Sequence, residues 1–131
     1  MNGRFDYVLD STALIALIAQ EPGYEKVQDV LDNSTISSVN LTEVIHKLVQ
    51  KGTNLRIVER LLKELQLNVI DWSEVLAYRS AEFATFGKSH GLSLGDRACL
   101  TLARQLQAAA VTADRAWRQV PELGVELFVF R

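Results

Sequence analysis

The chain holds a single cysteine, Cys99, which excludes an internal disulfide and suits a reducing cytoplasm. No stretch approaches the roughly 18 consecutive apolar residues of a membrane span, and the longest near-candidate, Ala13 to Ala19, is far too short. The opening Met1-Asn2-Gly3-Arg4-Phe5-Asp6 has no long apolar segment of the secretory kind. Neither His-x-x-x-His nor Cys-x-x-Cys occurs, so the usual zinc sites are excluded, and His46 and His90 read as isolated surface or hydrogen-bonded groups. There is no Gly-x-x-x-x-Gly-Lys-[Ser/Thr] loop and no Gly-x-Gly-x-x-Gly, which argues against nucleoside-triphosphate chemistry. A Gly-x-Ser-x-Gly elbow is missing too. Repeats, low-complexity stretches and linkers are likewise absent.

What is present is length for one domain, 1–131, with 48% apolar and 23% charged residues, the composition of an ordinary soluble globule with a genuine core. Phe5 to Leu9 reads as a short buried strand, and Ser11 to Gln20 as an apolar helix ended by Glu21-Pro22-Gly23. Tyr24 to Leu31 reads as a second helix and Thr35-Ile36-Ser37 as a short strand. Asn40 caps a helix through Lys51, with Gly52 as its stop, and Asn54 to Leu65 completes a helical hairpin. Leu67 to Ile70 is a strand, Ser73 to Phe86 a helix ended by Gly87, and Lys88 to Leu92 a polar loop. Ser93 starts a helix to about Gln107; then come a strand at Ala109 to Thr112, a short helix at Asp114 to Gln119 and a strand at Val125 to Phe130. Strands interleaved with helices predict a three-layer α/β/α sandwich on a mostly parallel five-stranded sheet. The strand cores are continuous apolar runs, as strands covered on both faces require.

Four acids, Asp10, Glu43, Asp96 and Asp114, each sit where an apolar run gives way to a helix start. Each has a purely local explanation. Asp10 and Asp114 suit helix N-caps, Asn40-x-x-Glu43 is a capping box and Ser93-x-x-Asp96 its aspartate variant, each worth roughly 1 kcal/mol. Parallel strands bring all four to one sheet edge, where ligand sites form. There they repel at roughly 3 kcal/mol per pair at about 5 Å and an effective dielectric of about 20. Helix N-termini offset part of this, and a divalent cation neutralises the rest. All-oxygen ligation favours Mg²⁺ or Mn²⁺, and such an ion calls for a substrate with phosphate oxygens. A formal net charge of −2 does not oppose a nucleic-acid partner, because setting the four acids aside leaves the bases in surplus by two. His46, Lys47, Lys88, His90, Arg97, Arg115 and Arg118 all lie near the acids in sequence.

Four segments carry a resemblance: Val8-Leu9-Asp10-Ser11-Thr12-Ala13-Leu14-Ile15-Ala16-Leu17, Ser37-Ser38-Val39-Asn40-Leu41-Thr42-Glu43-Val44, Leu92-Ser93-Leu94-Gly95-Asp96-Arg97-Ala98-Cys99-Leu100, and Val111-Thr112-Ala113-Asp114-Arg115-Ala116-Trp117. In order and spacing the chain resembles the PIN-domain ribonucleases, and among them the VapC-type toxins of toxin–antitoxin pairs. The resemblance implies a PIN-like fold and a cytoplasmic Mg²⁺- or Mn²⁺-dependent endoribonuclease that hydrolyses RNA with a metal-activated water. Asp10, Glu43, Asp96 and Asp114 form its acidic tetrad, with Asp10 and Asp96 as direct ligands. It also implies a homodimer, possible higher toxin–antitoxin assembly, a small antitoxin partner and no membrane. Ser11, Thr12 and Thr112 are candidates for hydroxyls that tune the carboxylates, and Arg97, Arg115 and Arg118 for RNA phosphate contacts. Some relatives carry a further acid after the fourth; here Trp117 and Arg118 occupy that stretch. Leu48, Val49, Ile57, Val58, Leu61 and Leu62 are divided among core, dimer seam and antitoxin groove. Trp72, Phe83 and Phe86 are assigned to the core, and Cys99 to a buried helix position. Two rival readings stand beside this one. The first is a phospho-receiver-like regulatory domain, with Asp71 after the third strand as acceptor. The second is a PIN-like protein-binding module with little catalysis.

Overall fold

The computed structural model describes residues 4–84, 90–120 and 123–131. Five strands, β1 (Tyr7–Leu9), β2 (Ser34–Ser37), β3 (Asn68–Ile70), β4 (Ala109–Thr112) and β5 (Leu127–Val129), form one sheet in the order β3-β2-β1-β4-β5. Every pairing is parallel, with Leu9 opposite both Ile36 and Val111. The helices are α1 (Ser11–Ala19), α2 (Tyr24–Val30), α3 (Ser38–Gln50), α4 (Leu55–Glu64), α5 (Glu74–Arg79) and α6 (Leu94–Leu106). Among the described residues no helix is long and apolar enough to cross a membrane.

The strand side chains alternate between two cores, which makes the three layers. Val8 and Ala110 point into a core built with Phe83, Leu100, Leu102 and Trp117. Their neighbours Leu9 and Val111 point the other way, into a core with Leu14, Val27, Ile36, Val44 and Phe130. At about 25 cal/mol per Å² of buried apolar area, these two clusters supply the main term that orders the sheet. Phe83 and Cys99 are buried as expected, and Trp72 packs against the first core. In the α3–α4 hairpin, Val58 and Leu62 belong to the core, Leu48 and Leu61 are half-buried, and Val49, Leu55 and Ile57 are exposed.

Several boundaries differ from expectation. Asn40 is not a helix cap: α3 begins two residues earlier, directly from β2, with the Ser37 hydroxyl accepting from the Val39 amide. Ser37 competes successfully because a hydroxyl closing a strand meets the first helical amides with no intervening loop. Asn40 is thereby carried into the first turn, fully buried. The polar strand Ser34–Ser37 is more central than its composition suggests. Ser34 Oγ donates to the Val30 carbonyl and Thr35 Oγ1 to that of Asn68, so burial leaves neither hydroxyl unbonded. The helix expected from Ser73 to Phe86 is α5 followed by a 3₁₀ turn, Ser80–Phe83, and the helix expected at Asp114 is a 3₁₀ turn, Arg115–Gln119. Phe86, Gly87 and Lys88 lie outside the described residues.

Candidate active site

From β1 the chain steps outward to β2 and β3, then returns to β4 on the other flank of β1. The strand order therefore reverses between β1 and β4, at whose C-terminal ends the ligand crevice of such a sheet lies. Asp10 is the residue after β1 and the N-cap of α1; its backbone N–H donates to Val111 O of β4 at 2.9 Å. Asp114 follows β4 and caps the 3₁₀ turn, accepting from the Ala116 amide at 2.9 Å. Asp96 lies in the first turn of α6, in a complete capping box with Ser93. Glu43 lies on α3, one turn beyond Asn40.

Asp10 is 3% exposed. Its Oδ1 accepts from the Ser11 amide at 2.8 Å, and its Oδ2 accepts from the hydroxyls of Thr12 and Thr112, each at 2.9 Å. Three bonds on a carboxylate with about four acceptor positions leave about one for a ligand. Burial raises the Asp10 pKa from 3.8 to about 6; the Thr112 and Thr12 bonds oppose this, and the charge of Asp96 adds to it. Desolvation wins over the hydrogen bonds. The same hydroxyls face two ways: Thr112 Oγ1 accepts from the Asp114 amide and Thr12 Oγ1 from the Ala113 amide, each at 3.0 Å. Asp96 is raised by burial, opposed by its Ser93 bonds, and raised further by the charges of Asp114 and Glu43.

Glu43 has its own seat. Its Oε1 accepts from the Ser11 hydroxyl and, at 3.1 Å, from Asn40 Nδ2. The Asn40 amide also donates to Ser11 Oγ at 3.2 Å and to the Gly95 carbonyl at 3.0 Å. Gly95 completes the seat by what it lacks, since a Cβ there would collide with the Glu43 carboxylate. Cys99 is fully buried behind the acids; burial and their charges push its thiol well up, which makes it inert.

Asp10, Ser11, Thr12, Glu43 and Asp96 line one cavity of about 340 Å³, together with Ile15, Glu21, Lys47 and Arg131. Asp114 does not line it, and its charge reaches the cavity through Asp96. Nor do Arg97, Arg115 and Arg118 line it: Arg118 is exposed, and Arg115 Nε donates to the Arg131 carbonyl at 2.9 Å. The cations that do face the acids are Lys47 and Arg131. Lys47 was legible as the residue four beyond Glu43 on one helix face, whereas Arg131, Glu21 and Gly95 carried no local signal and Asn40 carried only that of a helix cap. A larger cavity of about 480 Å³, lined by Leu41, Ile45, Leu55, Val58, Leu62 and Val69 among others, contains none of the four acids.

Among the described residues no group of three acids, histidines or cysteines closes on a point tightly enough to hold an ion as it stands. The donor set nonetheless fits a hard divalent cation. It is all oxygen, and it includes a buried carboxylate with an acceptor position to spare. Its four lining acids, Glu21 included, outnumber the two lining cations by the charge of one such ion.

The sequence matches the PIN domain family over residues 7–123. No curated protein sequence matches it. Among solved structures, VapBC2 from Rickettsia felis, bound to a DNA fragment from its promoter, superposes with a TM-score of 0.72 at 22% identity, covering 93% of this chain and 96% of that one. VapBC-1 from nontypeable Haemophilus influenzae gives 0.71 at 20% identity over 95% and 97%. VapBC-5 from Mycobacterium tuberculosis, a member of the VapBC family of toxin–antitoxin systems, gives 0.62 at 18% over 94% and 98%. At these identities the likeness is one of fold.

Proposed function

The chain belongs to the PIN domain family, and from that premise we propose that it is a Mg²⁺- or Mn²⁺-dependent endoribonuclease acting as the toxin of a toxin–antitoxin pair. The observation that carries this reading is the gathering of Asp10, Glu43 and Asp96 in one cavity at the reversal of strand order, with Asp114 coupled to Asp96. Asp10 and Asp96 would hold the ion directly, and Glu43 and Asp114 would complete its shell or orient water. Bound there, the ion would supply Lewis acidity to a phosphodiester and lower the pKa of water. The chain's own part is positional. Thr12 and Thr112 fix the Asp10 carboxylate in one orientation, and Ser11, Asn40 and Gly95 fix that of Glu43.

Protein partners are supported by the apolar surface of α3 and α4, where Val49, Leu55 and Ile57 stand exposed beside the larger cavity. That surface suits a second copy of the chain and a small antitoxin. The phospho-receiver reading loses its geometry. β3, which leads to Asp71, is an edge strand with β2 between it and β1, so Asp71 sits roughly 10 Å of strand spacing from Asp10.

The test is cleavage of single-stranded RNA by the purified chain. Mg²⁺ or Mn²⁺ should support it, EDTA should stop it, and Asp96→Asn should abolish it with the fold intact by circular dichroism. Chelator-resistant cleavage, or activity that survives Asp96→Asn, refutes the reading. A folded, metal-loaded protein that cleaves no RNA points to the protein-binding module instead.

A further inference from the structure

We propose that Arg131 is the phosphate-binding residue of the acid-lined cavity, gripping a backbone phosphate of the RNA beside the carboxylates; this rests on the nuclease reading above. An acid-rich cavity faces a difficulty with a polyanionic substrate. One divalent ion neutralises the formal excess of its lining but leaves no positive charge for the incoming phosphate. With the net charge at zero once both lining cations are counted, what draws the phosphate is where a cation sits, and Lys47 and Arg131 are the only cations among the lining residues.

Arg131 is the built one of the two. Its Nη1 donates to Glu21 Oε1 at 3.0 Å and, at 3.5 Å, to the Pro22 carbonyl. Its guanidinium carbon lies 5.4 Å from the Phe130 ring centroid, and its carbonyl accepts from Arg115. The turn holding Glu21 is pressed against this segment: a Cβ on Gly23, whose φ is +88°, would approach the Phe130 carbonyl oxygen to 2.6 Å. Tight backbone contact thus sets where Arg131 begins, and Glu21 sets where its head lies. Among the described residues nothing bonds Nε or Nη2, which form the second edge of the guanidinium fork. An edge of two parallel N–H donors matches two oxygens of one phosphate. Lys47, by contrast, is exposed and makes no ion pair among the described residues, so it would lose more side-chain freedom on binding.

The experiment compares Arg131→Gln and Arg131→Lys, each in a cleavage-dead Asp10→Asn background, for binding of a labelled single-stranded oligoribonucleotide across a salt series. Arg131→Gln should weaken binding about ten- to hundredfold, the loss of a charge-assisted bidentate contact. The slope of log K against log salt should become shallower by about 0.7. Arg131→Lys should recover the slope but not the full affinity, and Arg60→Ala, on the far helix α4, should change neither. Calorimetry on otherwise unaltered protein should show Arg131→Gln binding Mn²⁺ at least as tightly as wild type, since a nearby cation has been removed. A strut would instead lose metal and RNA binding together, and that result overturns the proposal, as does an unchanged slope. If the unaltered chain neither binds nor cleaves RNA, the nuclease reading fails first, and the two failures are told apart.

Discussion

Replacing Asp10 by asparagine should make the metal-free protein more stable while destroying its activity. The Asp10 pKa is about 6 in the folded protein against an ordinary 3.8. An acid with a raised folded-state pKa binds more protons in the native than in the unfolded state between these two values. Native stability therefore falls as pH rises through that window and levels off above about pH 6. A shift of about two units corresponds to about 3 kcal/mol at neutral pH. The Asp10→Asn variant would escape that penalty but keep only one acceptor oxygen for the Ser11, Thr12 and Thr112 donors, a loss of about 1 kcal/mol. The net gain is about 2 kcal/mol near pH 8, and at this chain length it raises the melting temperature by roughly 6 °C. Below about pH 4 the carboxyl is protonated in both states, the gain disappears, and the variant becomes slightly the less stable of the two.

Urea melts in EDTA at a series of pH values would measure this directly. The difference between variant and wild type should grow across the window and then stay constant. Asp96, also raised by burial, leaves a slope of its own, and because its charge adds to the Asp10 shift the difference reports Asp10 together with that coupling. Adding Mg²⁺ should stabilise wild type by about 2.7 kcal/mol at a hundredfold excess over its dissociation constant, and the variant far less. A variant no more stable than wild type at neutral pH, or a difference independent of pH, would refute the account of Asp10 as a desolvated carboxylate kept for binding.

Gly95→Ala should fold, because the clash it creates is with the flexible end of Glu43 and alanine suits a helix, yet it should lower Mn²⁺ affinity at least tenfold by evicting that carboxylate. Wild-type affinity by calorimetry would show that Glu43 is not placed by this contact. Thr112→Val removes one donor to Asp10 and leaves the Asp114 amide without its hydroxyl acceptor, costing about 1–3 kcal/mol. It should also move the acidic limb of the pH–rate profile upward, because a bond that lowers the Asp10 pKa is gone; an unmoved limb would argue that Asp10 is not the group that titrates there.

The order of strands and helices was legible because the continuous apolar runs of the strands and the caps and stops of the helices are local properties of the chain. Asp10, Asp96 and Asp114 were readable for the same reason: Asp10 and Asp114 are N-caps and Asp96 is the third-position partner in a capping box, and each of these has a local signature. Glu43 arrived at the site by a different route from the one expected, since Ser37 rather than Asn40 starts α3. The rest of the site was hidden because it depends on distance along the chain. Glu21 and Arg131 are 110 residues apart, and Asn40 and Gly95 are 55 apart. No periodicity marks a glycine as the space a distant carboxylate needs. The choice of Arg97, Arg115 and Arg118 followed sequence proximity to the acids; none of the three lines the cavity, and Arg115 meets its edge through the backbone of Arg131.

One buried amide decides which parts of the cavity can give way. Asn40 Nδ2 reaches Ser11 on α1, Glu43 on its own helix and the Gly95 carbonyl on α6. These three helix starts are thereby bolted to a single group that water does not reach. On the Glu21–Arg131 side the backbone is held by the turn and by Arg115, but the side-chain heads are held by a partly exposed ion pair. A ligand too large for the cavity therefore meets a fixed jaw and a movable one. Accommodation falls on the Glu21–Arg131 side, and substitutions there would tune what enters while the carboxylates keep their place.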